Sequence, residues 1–266
     1  MKTRFLLALI ALTLVPQAHA QLGLGLQPMR LEIKLSPGSQ HTDTLRLSND
    51  STAPARVRGQ VLDFYIDDAM TPQFEESVQR EAKFSCAAWL QVTPRETDLT
   101  AKSAIRERYT FNVPRDTKEG EYHCAAGFTT LPSLSESETP TGIRMAVRMV
   151  ASFYIIVGNP SSRPELKDLS LKSGPDGVLQ VVALLENKGQ KTFRVKGFME
   201  VRTPDGKKME GGEYNTIPVL PERQQQFLFP LKTALAPGKY TLYTQADVGL
   251  PEILEGSVSV EVAPAP

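Results

Sequence analysis

Three histidines, two cysteines and two acidic pairs are the residues of this 266-residue chain whose types could do chemistry. His19 lies in the N-terminal leader described below. His41 sits in a polar turn between Gln40 and Thr42. His123 stands beside Cys124 on a strand-like run, so the two side chains point to opposite faces. No His-x-x-x-His and no clustered Cys/His spacing of the kind that holds zinc occurs. A Cys–His nucleophile needs a free thiol. In an exported chain the even pair Cys86 and Cys124 reads instead as a disulfide. It would close a loop of roughly 40 residues, worth roughly 3–4 kcal/mol on the chain-entropy account. Asp67-Asp68 and Glu75-Glu76 fall in polar, turn-like contexts where solvated charge accounts for them. There is no Gly-x-Ser-x-Gly, no phosphate loop and no dinucleotide fingerprint. The expectation is a protein that is not an enzyme and uses no metal and no cofactor. Trp89, the only tryptophan, follows Cys86 by three residues and is expected in a core beside the disulfide.

Export is written in the first twenty residues. Lys2 and Arg4 precede an apolar run from Phe5 to Val15, and Ala18-His19-Ala20 is a small-x-small cleavage site. That is a secretory signal peptide, with the mature chain starting at Gln21. No cysteine follows the site, which argues against a lipoprotein anchor. Later apolar runs fall short of the roughly 18–20 residues of a spanning helix, so no membrane span is expected. With Lys2 and Arg4 removed, the 30 basic residues of the full chain fall just below its 30 acidic ones. Nucleic acid is excluded as a partner on that balance, because phosphate binding needs a clustered basic excess.

What positions these residues is a series of short strands. Runs of five to ten residues rich in Val, Ile, Leu, Thr, Phe and Tyr alternate with Pro-, Gly-, Asp- or Asn-containing turns, the pattern of an all-β sandwich. In the first half the runs predict strands over Leu24 to Leu35, Thr42 to Leu47, Ala55 to Ile66, Ala88 to Val92, Ile105 to Val113, Glu121 to Thr130 and Arg144 to Val157. The polar stretch Asp67 to Lys83 reads as a loop or a short helix, and Pro94 to Thr97 as a turn. "GNPSSR", Gly158 to Arg163, is the linker. After it strands recur over Leu166 to Leu171, Val178 to Leu185, Thr192 to Val201, Tyr214 to Ile217, Gln224 to Pro230, Lys239 to Asp247 and Ile253 to Val262. The fold class is therefore all-β, two immunoglobulin-like sandwich domains joined by a short Pro-containing linker. The domains span 21–158 and 165–263, with the linker at 159–164. "GEYHC", Gly120 to Cys124, puts a tyrosine two residues before a cysteine. In immunoglobulin-like domains such a tyrosine turns a corner and bonds back to upstream backbone. "GKY" at Gly238 to Tyr240 is expected to act similarly.

One strand is too apolar for a two-layer sandwich. From Met145 to Val157 almost every position is apolar, whereas a strand with one wet face should alternate. Either its outer face is covered by the second domain, or that face is an interaction surface. An exposed apolar edge is an aggregation hazard unless something pairs with it, and proteins that lend such an edge to a partner do so by strand addition.

"FYIIVGNP" ends this long strand and leads through a Pro-containing linker into a second sandwich. "QPMRLEIKLSPG" (Gln27 to Gly38), "LRLSNDSTAPARVRGQVLDF" (Leu45 to Phe64) and "WLQVTPRETDLTAKSAIRERYTFNVP" (Trp89 to Pro114) precede it in order. Together they resemble the periplasmic chaperones of the chaperone–usher pilus pathway, the PapD-like family, over most of the mature chain. In that family the last strand of domain one is donated to an unfinished subunit, whose groove its alternating apolar side chains fill. Two basic residues in the interdomain cleft hold the subunit's C-terminal carboxylate. The resemblance implies subunit binding by Arg30, matched by its place in "PMRL", and donor side chains Met145, Val147 and Met149. The family's second cation stands two before an aromatic pair like Phe153-Tyr154. That position here is Ala151, and the nearest cation on the strand is Arg148, which alternation turns to the other face unless a bulge intervenes. The implied partners are a secreted pilin-like β-sandwich subunit and an outer-membrane usher, met by a periplasmic protein that is a monomer when unbound. The alternative is a secreted two-domain immunoglobulin-like structural or adhesive surface protein. In that case Met145, Val147 and Met149 simply face the core and binding uses loops such as Asp67 to Lys83.

Overall fold

The computed structural model describes residues 23–67, 69–76, 83–131, 146–174, 176–215 and 217–263. The leader Met1 to Ala20 and the expected donor residue Met145 lie outside them. The chain forms two immunoglobulin-like β-sandwiches. In the first, strands β1 (Leu24–Gln27), β3 (Gln40–Asn49), β8 (Ser103–Asn112) and β6 (Leu90–Thr93) make a four-stranded sheet in the order β1-β3-β8-β6. The facing sheet runs β2-β10-β9-β4-β5, from β2 (Arg30–Leu35), β10 (Arg148–Val157), β9 (Gly120–Leu131), β4 (Ala55–Ile66) and β5 (Pro72–Glu75). The short β7 (Glu96–Leu99) adds to the other end of β4.

The expected single strand from Leu24 to Leu35 is in fact two. The chain leaves the first sheet at Gln27, passes Pro28, and joins the second at Arg30. Proline has no N–H to offer a ladder, so neither sheet can run through it. Four further strands were missed. One is the two-residue β16 (Pro218–Val219), which lies just after the strand expected over Tyr214 to Ile217; the described residues of that expected strand are not in one. β7 falls partly in a predicted turn. It lacks an apolar run because it is a short edge strand, held to β4 by ion pairs of Glu96 with Arg56 at 2.6 Å and Arg58 at 2.8 Å. β5 falls in the stretch read as loop or helix, where it pairs with the end of β4. In the second domain the charged, glycine-rich β15 (Lys208–Glu213) carries no strand signal. Its glycines are there for space, since a Cβ at Gly212 would lie 2.2 Å from the Phe229 ring and one at Gly211 2.7 Å from Glu200.

Strand alternation fills the first core. Leu45, Leu47, Tyr109, Phe111, Phe128, Phe153 and Ile155 are all almost fully buried, each worth about 1.5–3 kcal/mol relative to exposure. Cys86 and Cys124 are bonded to each other, and Trp89 packs on this core with its ring 4.6 Å from Tyr122. Tyr122 donates its hydroxyl to the Lys118 carbonyl (2.9 Å), and Tyr240 does the same to Ala236 (2.9 Å). Both corners anticipated from "GEYHC" and "GKY" are formed.

The second sandwich begins at β11 (Pro164–Ser173). It pairs with β12 (Leu179–Asn187), which pairs on its other side with β17 (Gln224–Pro230). The opposing sheet runs β15-β14-β18-β19, with β14 (Lys196–Arg202), β18 (Gly238–Asp247) and β19 (Leu254–Val262). β13 (Phe193–Arg194) and β16 (Pro218–Val219) make a small pair. Its core gathers Val181, Leu185, Met199, Val201, Phe227 and Leu242 and is separate from the first.

Candidate functional site

The puzzling strand, β10, is explained position by position. Its odd residues Ala151, Phe153, Ile155 and Val157 are 0–2% exposed and face the core, with Met149 packed on the core's margin. Its even residues face outward. Tyr154 among them is nonetheless 4% exposed, because Phe64 and Leu220 pack against it and Leu220 belongs to the second domain. Val150 is half-buried in a shallow groove of about 510 Å³ with Met29, Phe74 and Met149. So the excess apolarity has both origins. The second domain covers the C-terminal half of the outer face, and the N-terminal half lines an open groove.

The same strand has an open edge. β10 pairs antiparallel with β9 along its whole length, Arg148 opposite Thr129 through Val157 opposite Gly120. On its other side β2 runs parallel, but only from Ser152 opposite Arg30 to Val157 opposite Leu35. Ser152 donates its N–H to the Met29 carbonyl at 2.9 Å, so even residues turn their backbone groups toward the β2 side. By alternation Arg148 and Val150 turn theirs the same way. There β2 is missing, because the chain crosses to the other sheet before Met29. Among the described residues no strand pairs with this stretch of edge. Two N–H and two C=O groups thus face an empty lane.

Arg148 is exposed on the outward face, and its Nε donates to the Thr129 hydroxyl at 3.1 Å. The ladder to β9 is regular there, without the bulge that would turn Arg148 inward. Arg30 is exposed on the same face but opposite Ser152, about 13 Å farther along the strand. The two arginines therefore border different depressions. Arg30 lines a cleft of about 500 Å³ between the domains, together with Glu32, Tyr154, Lys191 and Arg194. Arg194 places its guanidinium 5.1 Å over the Tyr154 ring and 3.6 Å from the Glu32 carboxylate. Arg30 reaches the same carboxylate at 3.8 Å. Burial pushes the Tyr154 phenol above its ordinary value, and the nearby Arg194 partly offsets this. Arg194 and Lys191 belong to the second domain. No spacing in the sequence points to them, because only domain packing brings them to Arg30.

Beneath the cleft, Glu121 and His123 join the two domains. His123 Nε2 lies 2.8 Å from Glu121 Oε1 and 3.3 Å from the Thr192 hydroxyl. Glu121 also accepts the Thr192 N–H at 3.2 Å, and its own N–H donates to the Gln190 carbonyl at 2.9 Å. Burial works to raise the Glu121 pKa, but the bonds from His123 and Thr192 outweigh it and hold the carboxyl below its usual range. His123 is wedged against Phe64 and Tyr154 at 5.4 and 5.2 Å. It is a structural histidine in a domain contact. Both thiols are consumed in the disulfide, and His41, expected in a polar turn, is instead on β3 of the opposite sheet, across from Phe111. Among the described residues no cluster of His, Cys, Asp and Glu could hold a metal, and no helix is long and apolar enough to cross a membrane.

No protein-family model matches this sequence, and no curated protein sequence matches it. Among solved structures the chain is similar to the class 5 fimbriae chaperone CfaA, with 12% identity and a TM-score of 0.46 over 91% of this chain and 100% of that one. It is similar to a chaperone–tip adhesion subunit pre-assembly complex, CsuC–CsuE, from the archaic chaperone–usher Csu pili of Acinetobacter baumannii. There the identity is 15% and the TM-score 0.47, over 87% of this chain and 97% of that one. The CupB2 chaperone of Pseudomonas aeruginosa gives 17% and 0.42, over 91% and 100%. These values describe a likeness in the course of the chain, at identities too low to carry residue roles across.

Proposed function

We propose that this protein is a non-catalytic periplasmic chaperone that holds a secreted, pilin-like β-sandwich subunit through the open edge of β10. The observation that supports this reading is the empty lane beside Arg148 to Ala151. There the backbone donors and acceptors of Arg148 and Val150 are free to take a strand, and an apolar groove lies against the same residues. Pairing supplies main-chain hydrogen bonds, and apolar side chains at alternate positions supply burial. Val147 and Met149, and Met145 beyond the described residues, serve as the donated side chains. Arg148 flanks the lane. Arg30 anchors the subunit's terminal carboxylate, with Arg194 or Lys191 as the second cation in place of the strand cation that Ala151 does not supply. In this reading residues 1–20 are a cleaved leader, 21–158 the donating domain, 159–164 the linker and 165–263 the second domain. An outer-membrane usher is a further proposed partner.

The test is an affinity pull-down of the tagged mature protein from native periplasm, run beside Met149→Asp and Arg30→Ala. A small β-rich secreted protein captured by the parent and lost from both variants supports the proposal, provided both variants melt like the parent. Capture equal in all three, or no specific partner, returns the strand to a purely structural role and favours a surface module.

A further inference from the structure

A second surface lies on the opposite sheet of the first domain, away from the β10 edge. The outward positions of the β1-β3-β8-β6 sheet carry Arg46, Arg106 and Arg108, all exposed. Register puts Arg46 directly opposite Arg106, with Arg108 two residues along β8 between Thr44 on β3 and Thr93 on β6. None of the three arginines makes an ion pair or a side-chain hydrogen bond among the described residues. None of the outward positions on these four strands is acidic; apart from the arginines they are Thr, Gln, Asn, Ser, Ala and Gly. Like charges directly opposite in a ladder are destabilising. In a chain of nearly balanced charge, the free protein gains nothing from this arrangement. An anion laid across the three does, because arginine forks take carboxylates bidentately.

We propose that this face docks an extended acidic segment of a partner protein. Alternate residues of an extended chain stand about 6.8 Å apart on one side, which is the spacing of Arg106 and Arg108 on their own strand. Carboxylates at positions i and i+2 of the segment meet these two, and Arg46, about 5 Å across from Arg106, takes a third or shares the first. The threonine hydroxyls beside Arg108 complete the polar lining. An anionic lipid surface fits less well, since the face has no large apolar side chain to insert below the headgroups. The inference is independent of strand pairing at β10.

The probe is a labelled nonapeptide alternating Thr and Glu, compared by fluorescence anisotropy with its Thr/Gln counterpart, using the mature protein. The glutamate peptide is expected to bind at low salt at least about tenfold more tightly than the glutamine peptide, and to weaken as salt rises. Arg106→Gln with Arg108→Gln is expected to lose at least about tenfold in affinity. Val150→Pro, at the other edge, is expected to leave binding unchanged. The double variant should melt at or above the parent temperature, since it relieves a like-charge pair. Equal binding of the two peptides, or binding indifferent to the arginine substitutions, overturns the proposal. Melting well below the parent also overturns it, because the arginines are then structural. So does sedimentation with phosphatidylglycerol vesicles in the absence of peptide binding.

Discussion

Replacing Val150 with proline tests the open lane with a single change. The Val150 N–H points toward the side that β2 does not reach, so proline there removes no hydrogen bond among the described residues. The free chain should stay folded, within about 1 kcal/mol of the parent, the range of a surface substitution with some backbone constraint. Binding should suffer. One intermolecular hydrogen bond is lost, worth about 0.5–1.5 kcal/mol, or about 2- to 12-fold in Kd. The ring also stands in the lane that the partner strand must enter, so the measured loss should exceed that range. Ala151→Pro is the internal contrast. Its N–H pairs with β9, and its side chain is 0% exposed. It should cost about 2–6 kcal/mol from overpacking and an orphaned carbonyl. Titration of the captured subunit by calorimetry measures the first effect, and thermal melting the second. Native-state hydrogen exchange needs no partner. The Arg148 and Val150 amides should exchange freely while those of Met149 and Ala151 are protected. If Val150→Pro unfolds the protein as Ala151→Pro does, or if the Arg148 and Val150 amides are protected in the free protein, the lane is not open and the reasoning fails.

Other features make separate predictions. Glu107 is 1% exposed in the first core with its Oε2 unpartnered, and burial raises its pKa, with the Thr97 hydroxyl a smaller opposing influence. A raised carboxyl contributes stability at low pH that is lost as pH rises through its folded value. Glu107→Leu should therefore stabilise at pH 7 by about 1–3 kcal/mol, raising Tm by about 2–4 °C per kcal/mol. The gain should shrink toward acid, and equal gains at both pH values would contradict the assignment. Glu121 has the opposite sign. Its lowered pKa adds stability above the ordinary carboxylate range, near pH 4.3, and that stability is lost as pH falls through the folded value. Glu121→Gln should lower Tm near neutrality and flatten its acid limb; an acid limb as steep as the parent's would remove Glu121 from the domain contact. Replacing Cys86 and Cys124 by alanine should cost about 2–5 kcal/mol, read as a lower denaturant midpoint. An unchanged midpoint would mean that the bridge contributes nothing to folding.

Much of the fold was legible because alternation is a local property. The runs at Ala55 to Ile66 and Gln224 to Pro230 coincide with β4 and β17 to the residue. The disulfide could be read because an exported chain with two mature cysteines offers a single pairing, and both tyrosine corners because short spacing sets them. The elements that were missed carry no apolar pattern. β7 is held by charge on an edge, and β15 is made of residues chosen for what they leave out. The split at Pro28 was visible as a proline but not as a change of sheet, since sheet membership depends on strands far away in sequence.

The candidate site divides along the same line. Sequence alone predicted a strand over Arg144 to Val157, too apolar to be wet on one face, and found no catalytic spacing among the histidines, cysteines and acidic pairs; the structure starts that strand at Arg148. Tertiary structure decided which half of that strand is covered and which is bare. It set Arg148 and Arg30 about 13 Å apart along β10, and it brought Arg194 from the second domain to the cleft. The physical reason is that a strand's faces follow from its own alternation, whereas its edges and its neighbours across a domain boundary follow from where other segments stop. β2 begins only at Arg30, opposite Ser152 and four residues past the start of β10, and the open lane exists because of that late start.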